Sequence, residues 1–238
     1  MAIIEPFDRH YTEYENWFED NSLTYQSELA ALKGFIPHYK MGIEIGIGSG
    51  RFGAPLGIEV GIDPSPRMRE IAKSRGLEVC GAVAEALPFS DGVFGFALMV
   101  TTICFLDDVE AALKEACRVI EPAGSVIIGF IDKDSPLGKL YQQRREESVF
   151  YDVATFYSVS DIVSQLRKAG FKAFNFVQTI FHNLAEISDI EPTKEGYGEG
   201  SFVVVRATKQ KLAEYRPVQN KPFFANRTGE CSQTQSHQ

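Results

Sequence analysis

The chain has 238 residues, 44% of them hydrophobic and 24% charged, which suits a globular protein with one sizeable core. A net charge of −8 argues against nucleic acid as a partner, because holding a phosphate backbone depends on lysine and arginine. Met1-Ala2-Ile3-Ile4-Glu5-Pro6 lacks the basic and apolar regions of a signal peptide, and no stretch of about 18 apolar residues follows, so no membrane association and a cytoplasmic location are expected. The cysteines, Cys80, Cys104, Cys117 and Cys231, show no C-x-x-C spacing, so reduced thiols are expected, with neither a metal site nor a disulfide framework.

In chain order, residues 1–40 read as a helical segment. Phe7, His10, Tyr11, Tyr14, Trp17 and Phe18 recur at helical spacing, and Tyr25 to Leu32 continues the pattern. Gly42 to Ile47 reads as a short buried strand, and Ile58 to Ile62 as a second one ending at Asp63. The crossover between them is short and contains Pro55, which leaves room for little more than one helical turn. A helix follows with Ser65 as N-cap and Pro66 at its first position, and Gly76 ends it. Leu77 to Cys80 and Phe94 to Val100 read as strands, and Asp107 or Asp108 caps a helix through Ile120. Another strand starts at Ser125. After a polar stretch from Asp132 to Tyr157, Ser158 and Asp161 open a helix that stops at Gly170, and Phe171 to Thr179 and Gly200 to Ala207 complete the strands. The fold expected is α/β: a Rossmann-like, doubly wound, seven-stranded sheet, mostly parallel with an antiparallel terminal strand and helices on both faces. Residues 41–207 form the ligand-binding domain and residues 208–238 a polar tail, disordered or loosely docked.

The chemistry concentrates after the first strand. Gly46, Gly48 and Gly50 stand at every second position, where glycine lets the backbone turn and come close to a ligand. Asp63, at the end of the neighbouring strand, would reach the same crevice, where a carboxylate can accept hydrogen bonds from a ribose diol. Gly48 to Gly53 also fits the dinucleotide fingerprint G-x-G-x-x-G. That fingerprint does not account for Glu44, an ionisable residue inside a buried strand, where a carboxylate costs several kcal/mol unless it meets a donor.

The string from Glu44 to Gly50 resembles the first motif of the class I S-adenosylmethionine-dependent methyltransferases. Ala84 to Phe94, containing Leu87-Pro88-Phe89-Ser90-Asp91-Gly92, is similar to the segment between strands three and four in their small-molecule branch, which includes ubiquinone-biosynthesis enzymes. Glu115 to Gly124, running into Ser125 to Phe130, resembles the passage from helix to strand five. The resemblance departs at three points: Val83 and Gly95 stand where aspartate is common, and Ala123 replaces the first glycine of a usual pair. It implies S-adenosylmethionine as cofactor and S-adenosylhomocysteine as product. Glu44, Gly46, Gly48 and Gly50 would line the methionine and ribose side and Asp63 would bind the ribose, while Pro64 and Ala84 would flank adenine, with Glu85 and Thr101 at the rim. No metal is implied.

The methyl acceptor expected is a small-molecule nucleophile, with nitrogen, oxygen and sulfur all open. Val100-Thr101-Thr102-Ile103 lacks the Asn/Asp-Pro-Pro-aromatic motif of the amino-directed nucleic-acid enzymes. General-base candidates are His10, Tyr11 and His182, although a lone histidine is more often a surface or structural side chain than a base. The N-terminal aromatics are either a lid or a packed amphipathic helix. Leu140 to Tyr151, with Tyr141, Arg144, Arg145 and Tyr151, is either a substrate wall or a solvated face. Two other readings stand beside this one: an NAD(P)-dependent oxidoreductase using Gly48 to Gly53, and a non-catalytic adenosyl-ligand-binding protein.

Overall fold

Three helices precede the sheet: α1 (Glu5–Arg9), α2 (Tyr11–Asp20) and α3 (Ser22–Lys33). The computed structural model describes residues 2–210 and 223–225. Strands β1 (Gly42–Ile45) and β2 (Val60–Ile62) flank the four-residue helix α4 (Gly53–Leu56), as the short crossover requires. Next come α5 (Pro66–Ser74), β3 (Glu78–Cys80), β4 (Phe94–Val100), α6 (Val109–Val119) and β5 (Ile120–Ile131). Helices α7 (Pro136–Gln143), α8 (Val149–Val153) and α9 (Val159–Lys168), then strands β6 (Phe171–Thr179), β7 (Lys194–Glu195) and β8 (Phe202–Lys209), complete the order.

The strands form one sheet in the order β3-β2-β1-β4-β5-β8-β6-β7. The first five pair in parallel, whereas β8 runs antiparallel to both β5 and β6. The sheet thus has eight strands where seven were expected, because the two-residue β7 adds an edge to β6 through Val177 and Gln178. The period-two alternation of the central strands divides two cores. On one face Ile43, Ala97, Met99, Val126 and Ile128 pack with Ala112, Leu113, Ala116, Ile162 and Leu166 of α6 and α9. On the other, Phe96, Leu98, Ile127 and Phe202 pack with Phe18, Ala31, Leu32 and Leu137 of α2, α3 and α7. Layers therefore cover both faces, as a parallel sheet needs.

The caps form where the residue types dictate. Ser65 Oγ accepts from Met68 N, Asp108 Oδ1 accepts from Ala111 N, and Ser158 with Asp161 makes a reciprocal capping box. Other expectations are corrected. Strand β1 ends at Ile45 because Gly46 turns the chain at φ +73°. The stretch from 132 to 157 is not merely polar coil: Ser135 caps α7 through Gly138 N, and Ser148 caps α8 through Phe150 N. Beyond residue 207, β8 runs on to Lys209, and Phe224 makes an antiparallel bridge with Phe89 while Ala225 N donates to Pro88 O at 3.0 Å. The rest of the expected tail lies outside the described residues. Cys80 is disulfide-bonded rather than reduced, while Cys104 and Cys117 are free.

Ala123 sits at φ +64°, in the left-handed region where an L side chain crowds its own backbone. This accounts for the glycine usual at that position. Replacing Ala123 with glycine is expected to raise stability by about 0.5–1 kcal/mol, read as a higher urea midpoint at unchanged slope.

Candidate active site

Strands β1 and β2 stop at the same level, and the backbone after each defines a cleft of about 90 Å³. Its walls include Gly46, Gly48, Asp63, Pro64, Ala84 and Thr101. Gly46 is fixed by its neighbour as well as by its φ: a Cβ there would lie 2.3 Å from Thr102 Cγ2. Asp63 is buried, with Oδ2 accepting from Gly48 N at 2.8 Å and Oδ1 from Ser65 N at 2.9 Å. Burial pushes its carboxyl up to about 6 despite both donors. Val83, Ala84, Pro64 and Leu106 make an apolar slot beside it, and Glu85 Oε1 accepts from Asp107 N and Asp108 N, tying this loop to the start of α6.

Glu44 and Gly50 are not among the residues that line the cleft. Glu44, whose charge acts on the Tyr14 hydroxyl of the cleft wall, is 1% exposed with Oε2 unpartnered. A Cβ on Gly53 would meet that atom at 2.6 Å, so the third glycine of the dinucleotide fingerprint is needed to fit Glu44. Desolvation holds the Glu44 carboxyl well above the usual range, opposed by the Gly53 N–H and reinforced by the charge of Asp63. Gly50 also faces inward, with its missing Cβ position 2.3 Å from Leu77 Cδ1.

Helices α1 and α2 roof the cleft. Asp8 accepts from Ser65 Oγ and from Arg67 N at 3.3 Å, anchoring α1 at the N-terminus of α5. Glu15 of α2 pairs with Arg51 at 2.8 Å and Arg75 at 2.5 Å, and Arg51 also reaches Glu19 at 2.9 Å. Arg75 donates to Ser49 O as well. The roof is thus bound to the glycine loop itself. Tyr14 lies over Gly48, whose Cβ position is 3.0 Å from Tyr14 Oη.

Behind the cleft is a larger chamber of about 370 Å³. Phe7, Tyr14, Thr101 and Phe105 line both volumes and form the seam between them. Thr101 is held there at φ +50°, a strained conformation fixed by its N–H donating to Gly129 O at 2.8 Å. The chamber wall is largely aromatic and includes Tyr141 and Tyr151, whose rings stack 4.2 Å apart. Cys104 also lines it, with Sγ donating to Thr101 O at 3.0 Å. Burial pushes its thiol up to about 12, which excludes a thiolate nucleophile at neutral pH.

None of the general-base candidates lines either volume. His10 bonds Glu13 at 2.8 Å, Tyr11 lies under the Arg67 guanidinium, and His182 pairs with Glu191 after β6. Of the expected wall from 140 to 151, Tyr141 and Tyr151 face the chamber. Arg144 and Arg145 turn away, the first to Glu147 at 3.9 Å and the second to Asp152 O at 2.8 Å.

This geometry agrees with the comparisons to known proteins. A crystal structure from Thermotoga maritima, described as an S-adenosylmethionine-dependent methyltransferase and possible histamine N-methyltransferase, is 51% identical and superposes with a TM-score of 0.85. The match covers 87% of this chain and 99% of that one. The chain belongs to the S-adenosylmethionine-dependent methyltransferases. A family model described as a methyltransferase domain matches residues 43–128 of this methyltransferase. An uncharacterised protein of Methanocaldococcus jannaschii is 43% identical over 203 residues, which are 85% of this chain and 98% of the relative. A demethylmenaquinone methyltransferase of Lactococcus lactis is 26% identical over 162 residues, which are 65% of this chain and 60% of the relative. The protein is an S-adenosylmethionine-dependent enzyme of class I, and none of its described helices is long and apolar enough to cross a membrane.

One site residue escaped sequence reasoning. Glu28 of α3 is 3% exposed and lines the chamber, and burial pushes its carboxyl up to about 8. Its signal was available: Tyr25, Glu28 and Leu32 fall at i, i+3 and i+7, so an acid occupies the apolar stripe of an amphipathic helix. A carboxyl raised from an ordinary 4.5 to about 8 on folding binds a proton more tightly when native. Stability therefore falls as pH rises between those values. The expected outcome is that Glu28→Gln flattens the decline in melting temperature between pH 5 and 8 and is the more stable form at pH 8 by up to a few kcal/mol, at about 1.4 kcal/mol per pH unit.

Proposed function

We propose that this enzyme transfers the methyl group of S-adenosylmethionine to a small molecule held in the chamber. Asp63 receives the ribose hydroxyls, Gly46 and Gly48 admit the amino-acid end, and Pro64, Val83, Ala84 and Leu106 hold adenine. The residues present fit the cofactor: Asp63 is pre-oriented by two backbone donors, the adenine slot is apolar, and the glycine loop offers bare backbone beside it. The observation that carries the reading is the seam. Phe7, Tyr14, Thr101 and Phe105 border both the cleft and a chamber of about 370 Å³, a volume within the range of small-molecule pockets.

The cofactor supplies an already activated sulfonium methyl, so the protein's task is alignment and exclusion of water. Thr101 and Tyr14 place the acceptor's nucleophile at the seam, and the aromatic wall keeps solvent out. No histidine lines the chamber among the described residues, and Cys104 stays protonated, so neither a basic imidazole nor a covalent thiol intermediate takes part. The oxidoreductase reading loses its support with Gly53, which serves Glu44 and opens a helix of only four residues.

Calorimetric titration with S-adenosylhomocysteine is expected to show binding where reduced nicotinamide dinucleotide shows none. Asp63→Ala is expected to lose tenfold or more of that affinity with its circular dichroism unchanged, since each hydrogen bond to a charged acceptor contributes about 1.5–3 kcal/mol. Wild-type affinity is expected to weaken as pH falls below about 6, where Asp63 takes up its proton and can no longer accept from both hydroxyls. Equal affinity in the variant removes Asp63 from the site. Cofactor binding without turnover on any amine, hydroxyl or thiol acceptor would favour the non-catalytic reading.

A further inference from the structure

The charged residues of the chamber are all acids. Glu13, Glu28 and Glu147 line it, and no lysine, arginine or histidine does so among the described residues. Glu28 is the deepest, at 3% exposure, and among the described residues its carboxyl makes no hydrogen bond and no ion pair. It lies close enough to Tyr141 and Tyr151 for its charge to act on both hydroxyls. It lines the chamber and neither the cleft nor the seam. A buried acid with no partner is costly to fold around, and such groups concentrate where a ligand supplies the missing charge. The surrounding rings add to this, because aromatic faces attract cations.

We propose that the methyl acceptor is an amine with two distinct ends: an ammonium that pairs with Glu28 beside the stacked rings of Tyr141 and Tyr151, and an uncharged nucleophilic nitrogen presented at the seam beside Thr101. The inference rests on the reading of the chamber as the acceptor site. An ammonium has no lone pair to donate, so the nitrogen that is methylated is not the one held by Glu28. The lone pair of the distal nitrogen forms the new N–C bond as the C–S bond breaks and its electron pair stays on sulfur. The proton displaced from that nitrogen leaves to solvent. Glu28 is thus a binding residue that selects and orients the acceptor and takes no proton from the reacting atom.

The test uses the full chain saturated with S-adenosylhomocysteine and three isosteric pairs: phenethylamine with 2-phenylethanol, tryptamine with tryptophol, and 4-(2-aminoethyl)imidazole with 4-(2-hydroxyethyl)imidazole. At least one amine is expected to bind tenfold or more tightly than its alcohol. Glu28→Gln is expected to weaken that amine tenfold or more while changing the alcohol less than threefold; Glu28→Asp, which keeps the charge, retains part of the preference. Absence of an amine preference in all three pairs overturns the proposal, as does a preference that survives Glu28→Gln. Should Glu28→Gln not fold, seen as loss of homocysteine-adenosyl binding, the wild-type pairs and Glu28→Asp decide. Failure of the wild type to bind S-adenosylhomocysteine overturns the underlying cofactor reading instead, so the two failures are distinct.

Discussion

The active end of this protein is organised around the carboxylate of Asp63. One oxygen takes the N–H of Gly48 and the other that of Ser65, so a single side chain fastens the loop after β1, the end of β2 and the entry to α5. These three pieces are contiguous in space only because β1 and β2 pair in register, with Ile45 opposite Ile62. The loop glycine can reach Asp63 because Gly46 has already turned the chain out of the sheet, against Thr102 at the end of β4. The bonds are short and buried, where losing a partner costs about 1–3 kcal/mol per orphaned group. The cleft is thus built by the same contacts that end the strands.

A second layer of polar contacts places the roof. Glu15 receives both Arg51 and Arg75, and these arginines belong to the glycine loop and the end of α5. The side chains are half-buried, with Glu15 and Arg51 each 19% exposed, so the pairing is less screened than a surface ion pair. Phe18 adds a ring under the Arg51 guanidinium at 5.2 Å. Tyr14, between these anchors, has its hydroxyl held well above its usual range, chiefly by burial and then by Glu44 and Asp63. It is a neutral wall and no acid or base at physiological pH.

The parts of this architecture legible from sequence are those governed by neighbours in the chain. The caps at Ser65, Asp108 and Ser158, the run of β4, the bounds of β6, and the pairing of a glycine loop with Asp63 all follow from local patterns. What was not legible depends on partners far along the chain. Glu44 read as a ligand contact because an acid in a buried strand demands an explanation; what the sequence did not show is that Gly53 makes room for its carboxyl. Helices α7 and α8 were hidden because they span only eight and five residues, too few turns for a helical period to stand out. His10, Tyr11 and His182 were chosen by chemistry alone, and the fold directs each to a nearby surface partner.

The shared walls at Phe7 and Tyr14 have a kinetic meaning. Because the same short helices cover the cofactor and the acceptor, the two compartments have one cover and not two independent doors. On the proposed reading, spent cofactor and methylated product leave past the same cover, which the clasp between Glu15 and its two arginines ties to the glycine loop. The residence times of the two ligands are then coupled through one half-buried ion-pair cluster.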